Sequence, residues 1–405
     1  MPLVPDVIQL PIASLRTAQP TEAWMKSDDE IFDEVVTKAK KPPRLPSDSE
    51  LRKLPGFQYI KTRAEAQIHG FRNASVPVGR NRELPRIIVD FVDSGTPGGF
   101  AGQSKSHNAY IIAIHVGHIH FTELVFNALF ANRRFWTDLG NVNAERDGLP
   151  PVMVSRDYKE VCDSLEAQGF SPADYTPKDE FRNAIAAQLA YWANMFMLGH
   201  EFRHVIAGHV DYYNHNFSLS YIPEYASRQS SQKNSMRKQA MECDSDAFSF
   251  ASILRDLLDG GAAESANSLL PTDLDLQIKG EIWFQLLVLA CSGVFRLLDD
   301  GSYWRSEWQK LSHPAPMVRR EFLVLTGLES ASQLYPHIYT DDAKLRLGAA
   351  CFETVELHAS EIWGCRIIKE DIREAAEYSK SHFSDVYTSG VSIKPDLEKY
   401  AYVPL

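Results

Sequence analysis

The chain has 405 residues, 44% hydrophobic and 23% charged, which is long and apolar enough to bury a large core. Its formal net charge of −11 excludes nucleic acid and an anionic membrane surface as default electrostatic partners. The 5 cysteines are scattered with no CxxC pair, so reduced thiols are expected rather than a disulfide framework.

The first residues, Met1-Pro-Leu-Val-Pro-Asp6, show no basic segment followed by an apolar one, so no secretory signal is expected and the cytoplasm is the expected compartment. Residues 1–60 are expected to be an N-terminal extension, with an acidic helical piece at 27–36 and a proline-rich run at 41–49. Residues 86–92 predict a strand, and 94–100 a glycine-rich turn without the spacing or lysine of a phosphate loop. A second strand is expected at 108–116, then a helix at about 121–130. His115, His118 and His120 have no cysteine or carboxylate beside them and are expected to be structural.

Thr176-Pro177-Lys178-Asp179 predicts a helix start, with Thr176 as N-cap and proline at the first helical position. The helical pattern runs on to about Val210 and is apolar on most sides, which implies a central buried helix. Residues 211–236 are expected to be a long loop, either a lid or a connector, ending in the polar run 227–235. A helical pattern returns at 239–250. The apolar run at 282–298 is interrupted by Gln285 and Arg296 and is short for a membrane span of about 20 residues, so a buried core helix without membrane insertion is expected. Pro314 and Pro316 stiffen the segment that carries His313, a helix follows through Arg319, and 331–405 is expected to be a helical region packed on the rest.

The chemistry concentrates in His200-Glu201-x-x-His204. A step of four residues turns a helix by about 400°, so the two imidazoles lie within about 40° of each other on one face. Two neutral imidazoles so placed can hold two corners of a zinc site, and Glu201 is placed to take a proton from a water polarised there. Glu242 on the later helix supplies a third ligand. Asp246, one turn on, can accept the free ring N–H of a ligating histidine and fix its tautomer. Asp244 is expected on a solvated face, and Cys243 as a core thiol. His209 lies about 180° round an unbroken helix from His200, which places it off the metal as a capping or packing residue. Val210 stands where another zinc-peptidase class needs its third histidine.

These residues resemble the gluzincin metallopeptidases, which combine HExxH with a downstream ExxxD. In layout the chain is similar to soluble relatives of the HtpX and CAAX-prenyl-protease family, and to the Lit-type phage-exclusion peptidases. The likeness rests on His200 to His209, on Glu242-x-x-x-Asp246, on His313-Pro-x-Pro-x-x-Arg319 and on Asn108-Ala109 ahead of a strand. It implies a mostly helical α+β fold: a zincin-like core over 61–330, with a small sheet before the HExxH helix. It further implies Zn2+ held by His200, His204 and Glu242, Glu201 as general base, and Asp246 and Arg319 behind the ligands. His313 is then a donor to the oxyanion, and the strand at Asn108 an edge that holds an extended substrate. The expected function is hydrolysis of a cytoplasmic protein or peptide substrate, latent until an activating or inhibitory partner acts. The alternative is a metal-binding regulatory or scaffold protein with an inactive site.

Overall fold

A computed structural model of the protein describes residues 26–75, 84–152, 157–217, 221–222, 232–259, 275–298, 313–364 and 369–403, together with 270, 311 and 405. Over these residues the chain is mostly helical with one three-stranded sheet, an α+β arrangement.

Helix α1 (Asp28–Lys38) opens on a capping box in which Ser27 and Glu30 satisfy each other's backbone N–H groups. Helix α2 spans Pro55–Ser75. The strands follow as β1 (Arg86–Val92), β2 (Gly99–Ser104) and β3 (Ala109–His115). Their spatial order is β1-β3-β2, with β1 parallel and β2 antiparallel to β3. The middle strand β3 is buried at every position, and its sequence is accordingly an apolar run rather than an alternation.

Ile31, Phe32, Val35 and Val36 of α1 pack on one face of the sheet against Ile88, Phe100, Ile111 and Ala113. Asp90 of β1 accepts from Arg52 at 2.6 Å and Arg44 at 3.3 Å. The part of the expected N-terminal extension that is described, 26–60, is thus a cover for the sheet; residues 1–25 lie outside the described residues. The other face meets helix α3 (Val116–Phe130) and the long helix α5 (Glu180–Ile206), which follows α4 (Tyr158–Ala167).

Helix α5 begins later than its sequence suggests. Asp179, not Thr176, is the N-cap and accepts from the Arg182 N–H at 3.0 Å. The Glu145 carboxylate, distant in sequence, accepts the N–H groups of Lys178 and Asp179 at 3.1 and 2.9 Å. Arg182 is fully buried and donates to the carbonyls of Phe130, Asn132, Phe135, Trp136 and Leu139, which pins the first turn. Helix α5 also ends earlier, at Ile206. Gly208 takes the left-handed conformation (φ +76°) that favours glycine, and the chain restarts as α6 (His209–Phe217).

The expected loop at 211–236 is therefore helical to Phe217 and again from Gln232, where α7 (Gln232–Asp259) begins; 227–231 of the polar run lie outside the described residues. Helix α8 (Leu276–Leu297) is long and apolar enough to cross a membrane by length and composition, the one such helix among the described residues, yet most of it is buried inside the fold. Helices α9 (Pro316–Leu334), α10 (Asp341–Phe352), α11 (Ser360–Trp363) and α12 (Lys369–Leu397) complete the chain. The last residues return to α5: the Tyr402 N–H donates to the Ile206 carbonyl at 2.8 Å, satisfying one orphan acceptor at the helix end.

Candidate metal centre

Helices α5 and α7 cross at Gly199. A Cβ there would lie 2.5 Å from Ser249 Oγ, and that hydroxyl donates to the Phe196 carbonyl at 2.7 Å. Only glycine permits so close an approach. The consequence is that His200, one residue on, faces Glu242 and Asp246 of α7.

His200 Nε2 lies 3.0 Å from His204 Nε2 and 3.1 Å from Glu242 Oε2, and His204 Nε2 lies 3.5 Å from Glu242 Oε1. One donor atom from each of the three falls within 4.8 Å of the others, and all three residues are buried. This group could hold a metal ion. It is the one cluster of its kind among the described residues, and His115, His118 and His120 form none.

The donor chemistry fits an ion. Three ligand atoms converge in a buried space where a carboxylate and two imidazoles need mutual compensation. Burial alone would raise the Glu242 carboxyl, but His313, His204 and His200 outweigh it and hold the group well below the ordinary carboxylate range. It is thus ionised at neutral pH. For His200, burial disfavours the charged ring, but Asp246 and Glu242 outweigh that and raise its protonation well above the ordinary histidine range.

His200 Nδ1 lies 2.9 Å from Asp246 Oδ1. Arg319 of α9 donates to both oxygens of Asp246, at 2.8 and 2.7 Å, and its guanidinium lies over the Phe295 ring at 4.3 Å. Asp246 thus bridges the His200 ring and the Arg319 guanidinium. Glu201 is buried on the same turn of α5 as the histidines.

His313 also reaches the centre, with Nε2 3.1 Å from Glu242 Oε2, so in this structure it contacts the Glu242 carboxylate itself. Asn108 does not reach an edge. It closes a short 3-10 turn with φ +47° and leads into β3, the middle strand, which has neighbours on both sides. No extended substrate can add along β3, and the edge facing this side is β2. Part of that edge is already taken: Tyr221 bridges to Gly102, and the Ile222 N–H donates to the Ala101 carbonyl at 3.0 Å.

Two residues depart from expectation. Asp244 is partly exposed, but it is clamped by Arg203, which donates to its two oxygens at 2.7 and 3.0 Å. His209 is buried and has its Nδ1 2.9 Å from His204 Nδ1. Helical extrapolation sends His209 to the far side, but the break at Gly208 brings it back. The trailing Gly-His pair was the available signal. Cys243 is a buried free thiol, as expected.

Comparison of the chain with family models, curated proteins and solved structures finds no match.

Proposed function

We propose that this chain is a zinc-dependent endopeptidase with a zincin-like core, acting on a cytoplasmic protein and latent until triggered. The observation that carries the reading is the convergence of His200, His204 and Glu242 with Glu201 on the same turn of helix. A site that only stores metal has no use for that fourth group. A bound zinc ion polarises a peptide carbonyl and lowers the pKa of a water toward about 7.

The protein's own residues supply the remainder. The Glu201 carboxylate takes the proton of the attacking water and delivers it to the nitrogen of the departing amine. His313, released from Glu242, donates from its ring to the developing oxyanion, a contribution of about 3–4 kcal/mol for one such donor. Asp246 holds the proton on His200 Nδ1, which leaves Nε2 as the ligating atom.

Burial is what supports latency in this reading. His200, Glu201 and His204 are each 1% exposed, so a substrate needs the site to open. The same burial favours a second reading, a regulatory protein that holds metal without turnover.

The test is metal content and cleavage with four purified proteins. Wild type is expected to carry about one zinc per chain, as a single three-ligand site requires. Glu242→Ala and His204→Ala lose it, and Glu201→Gln keeps zinc but cleaves nothing. Absence of metal in the zinc-supplied wild type sinks the reading. Full activity in Glu201→Gln sinks the mechanism.

A further inference from the structure

His200 is backed directly by a carboxylate, at Asp246. The second histidine is backed in another way. His204 Nδ1 faces His209 Nδ1 at 2.9 Å and Ser245 Oγ at 3.3 Å. On its other side, His209 Nε2 lies 3.6 Å from Asp244 Oδ2, and Asp244 is fixed by Arg203 through two donors at 2.7 and 3.0 Å.

We propose that His209 is a positioning residue for the metal ligand His204, the middle member of a chain Asp244–His209–His204. The proposal rests on the metal reading above. Its direction is set by proton counting. Ligation through His204 Nε2 leaves the ring proton on Nδ1, so His204 must donate there. His209 Nδ1 then accepts, which puts the His209 proton on Nε2, and Nε2 faces the anionic Asp244. The 2.9 Å link between the rings thus has one donor and one acceptor, and the 3.6 Å approach to Asp244 is an electrostatic contact. The left-handed turn at Gly208 is what returns the ring to this side of α5.

Outer partners of ligating histidines typically govern about 10–100-fold in metal affinity. The experiment measures Zn2+ dissociation constants of the full-length chain by competition with a chromophoric chelator. The proteins are wild type, His209→Leu, His209→Asn, Asp244→Asn and Ser245→Ala, each checked for its metal-free thermal unfolding.

His209→Leu, which fills the space without an acceptor, is expected to weaken zinc binding about 10–100-fold. His209→Asn, whose amide oxygen can stand near Nδ1, is expected to recover most of that loss. A role in packing alone predicts no such rescue. Asp244→Asn, which keeps a polar group beside Arg203 at a partly exposed position, is expected to weaken binding by a smaller factor. Wild-type affinity in both His209→Leu and Asp244→Asn overturns the proposal. So does a loss in Ser245→Ala as large as that in His209→Leu, which would make the serine the acceptor. If wild type itself binds no zinc, it is the underlying metal reading that has failed.

Discussion

Asp246 answers to two partners at once. It accepts two hydrogen bonds from Arg319 and one from the His200 ring, while wholly buried. Burial by itself raises its carboxyl, but Arg319 and His200 outweigh that and keep it ionised. Removing one member of a buried ion pair leaves a charge without compensation, at a cost of about 3–5 kcal/mol. Arg319→Met is therefore expected to lower stability by about that amount, read from urea unfolding of the metal-free protein. The double variant Asp246→Leu/Arg319→Met is expected to recover much of the loss, because apolar replacement of a whole pair is often near neutral. It should nevertheless bind zinc more weakly, since His200 loses its orienting group. A single variant as stable as wild type would show that the pair contributes nothing to the fold. Glu242 and Asp246 were legible from sequence because a one-turn spacing puts them on one face whatever lies around them. Arg319 was legible only through the resemblance. Its distance along the chain carries no signal until α9 is packed on α7.

At the scale of elements, the site depends on one close crossing and one occupied edge. The crossing of α5 and α7 at Gly199 left a readable residue but no readable meaning, since glycine inside a helix has many causes. The edge was hidden more deeply. Strand β2, Gly99-Phe-Ala-Gly-Gln-Ser104, is built largely from weak strand formers and reads as a turn, and its strand state comes from pairing with β3. The edge role of the strand at Asn108 came from the resemblance alone, and pairing with β2 overturns it. Gly99 lies against α5 near Met197, one helical turn before Glu201, so β2 runs beside the turn that carries Glu201. A substrate adding a strand there must displace Tyr221 and Ile222, and Tyr221 is further held by Lys41, whose ammonium lies 5.3 Å from both its ring and that of Phe100. Ile222→Pro removes the N–H that bonds the Ala101 carbonyl. In the proposed peptidase this variant is expected to hydrolyse unfolded casein several-fold faster than wild type, with zinc content unchanged. Equal rates would mean that this segment does not cover the substrate edge.

Over the whole molecule, the balance of buried histidines sets a direction for acid stability. Burial lowers His115 to about 4, assisted by the charge of Lys41, and lowers His118 to about 3, assisted by His115. Burial likewise lowers His382 on α12 to about 4; its Nε2 contacts Gln239 Oε1 at 2.5 Å, and Gln239 also donates to the Leu311 carbonyl. These rings sit in the sheet, in α3 and in the C-terminal helix, so their effect belongs to the fold and not to one site. In the unfolded chain each titrates near 6.5. Below that pH the unfolded state binds protons that the folded state refuses. The stability each ring provides is complete above pH 6.5 and is lost as pH falls toward 4, at about 1.4 kcal/mol per pH unit per ring. Glu123, whose carboxyl burial raises, opposes this, because the folded state then holds the extra proton. His200, raised rather than lowered, is charged in both states below pH 6.5 and adds no slope there. These three rings, joined by His120 and His209, which burial also lowers, outweigh one carboxyl and leave a net loss on acidification. Unfolding free energy in urea is expected to be several kcal/mol lower at pH 5 than at pH 7, on the scale of about 1.4 kcal/mol per unit for each ring. His382→Gln, which removes one titrating group, should flatten the profile. A flat profile in the wild type between these pH values would mean that the rings take up protons without unfolding, and so are not sealed in the core.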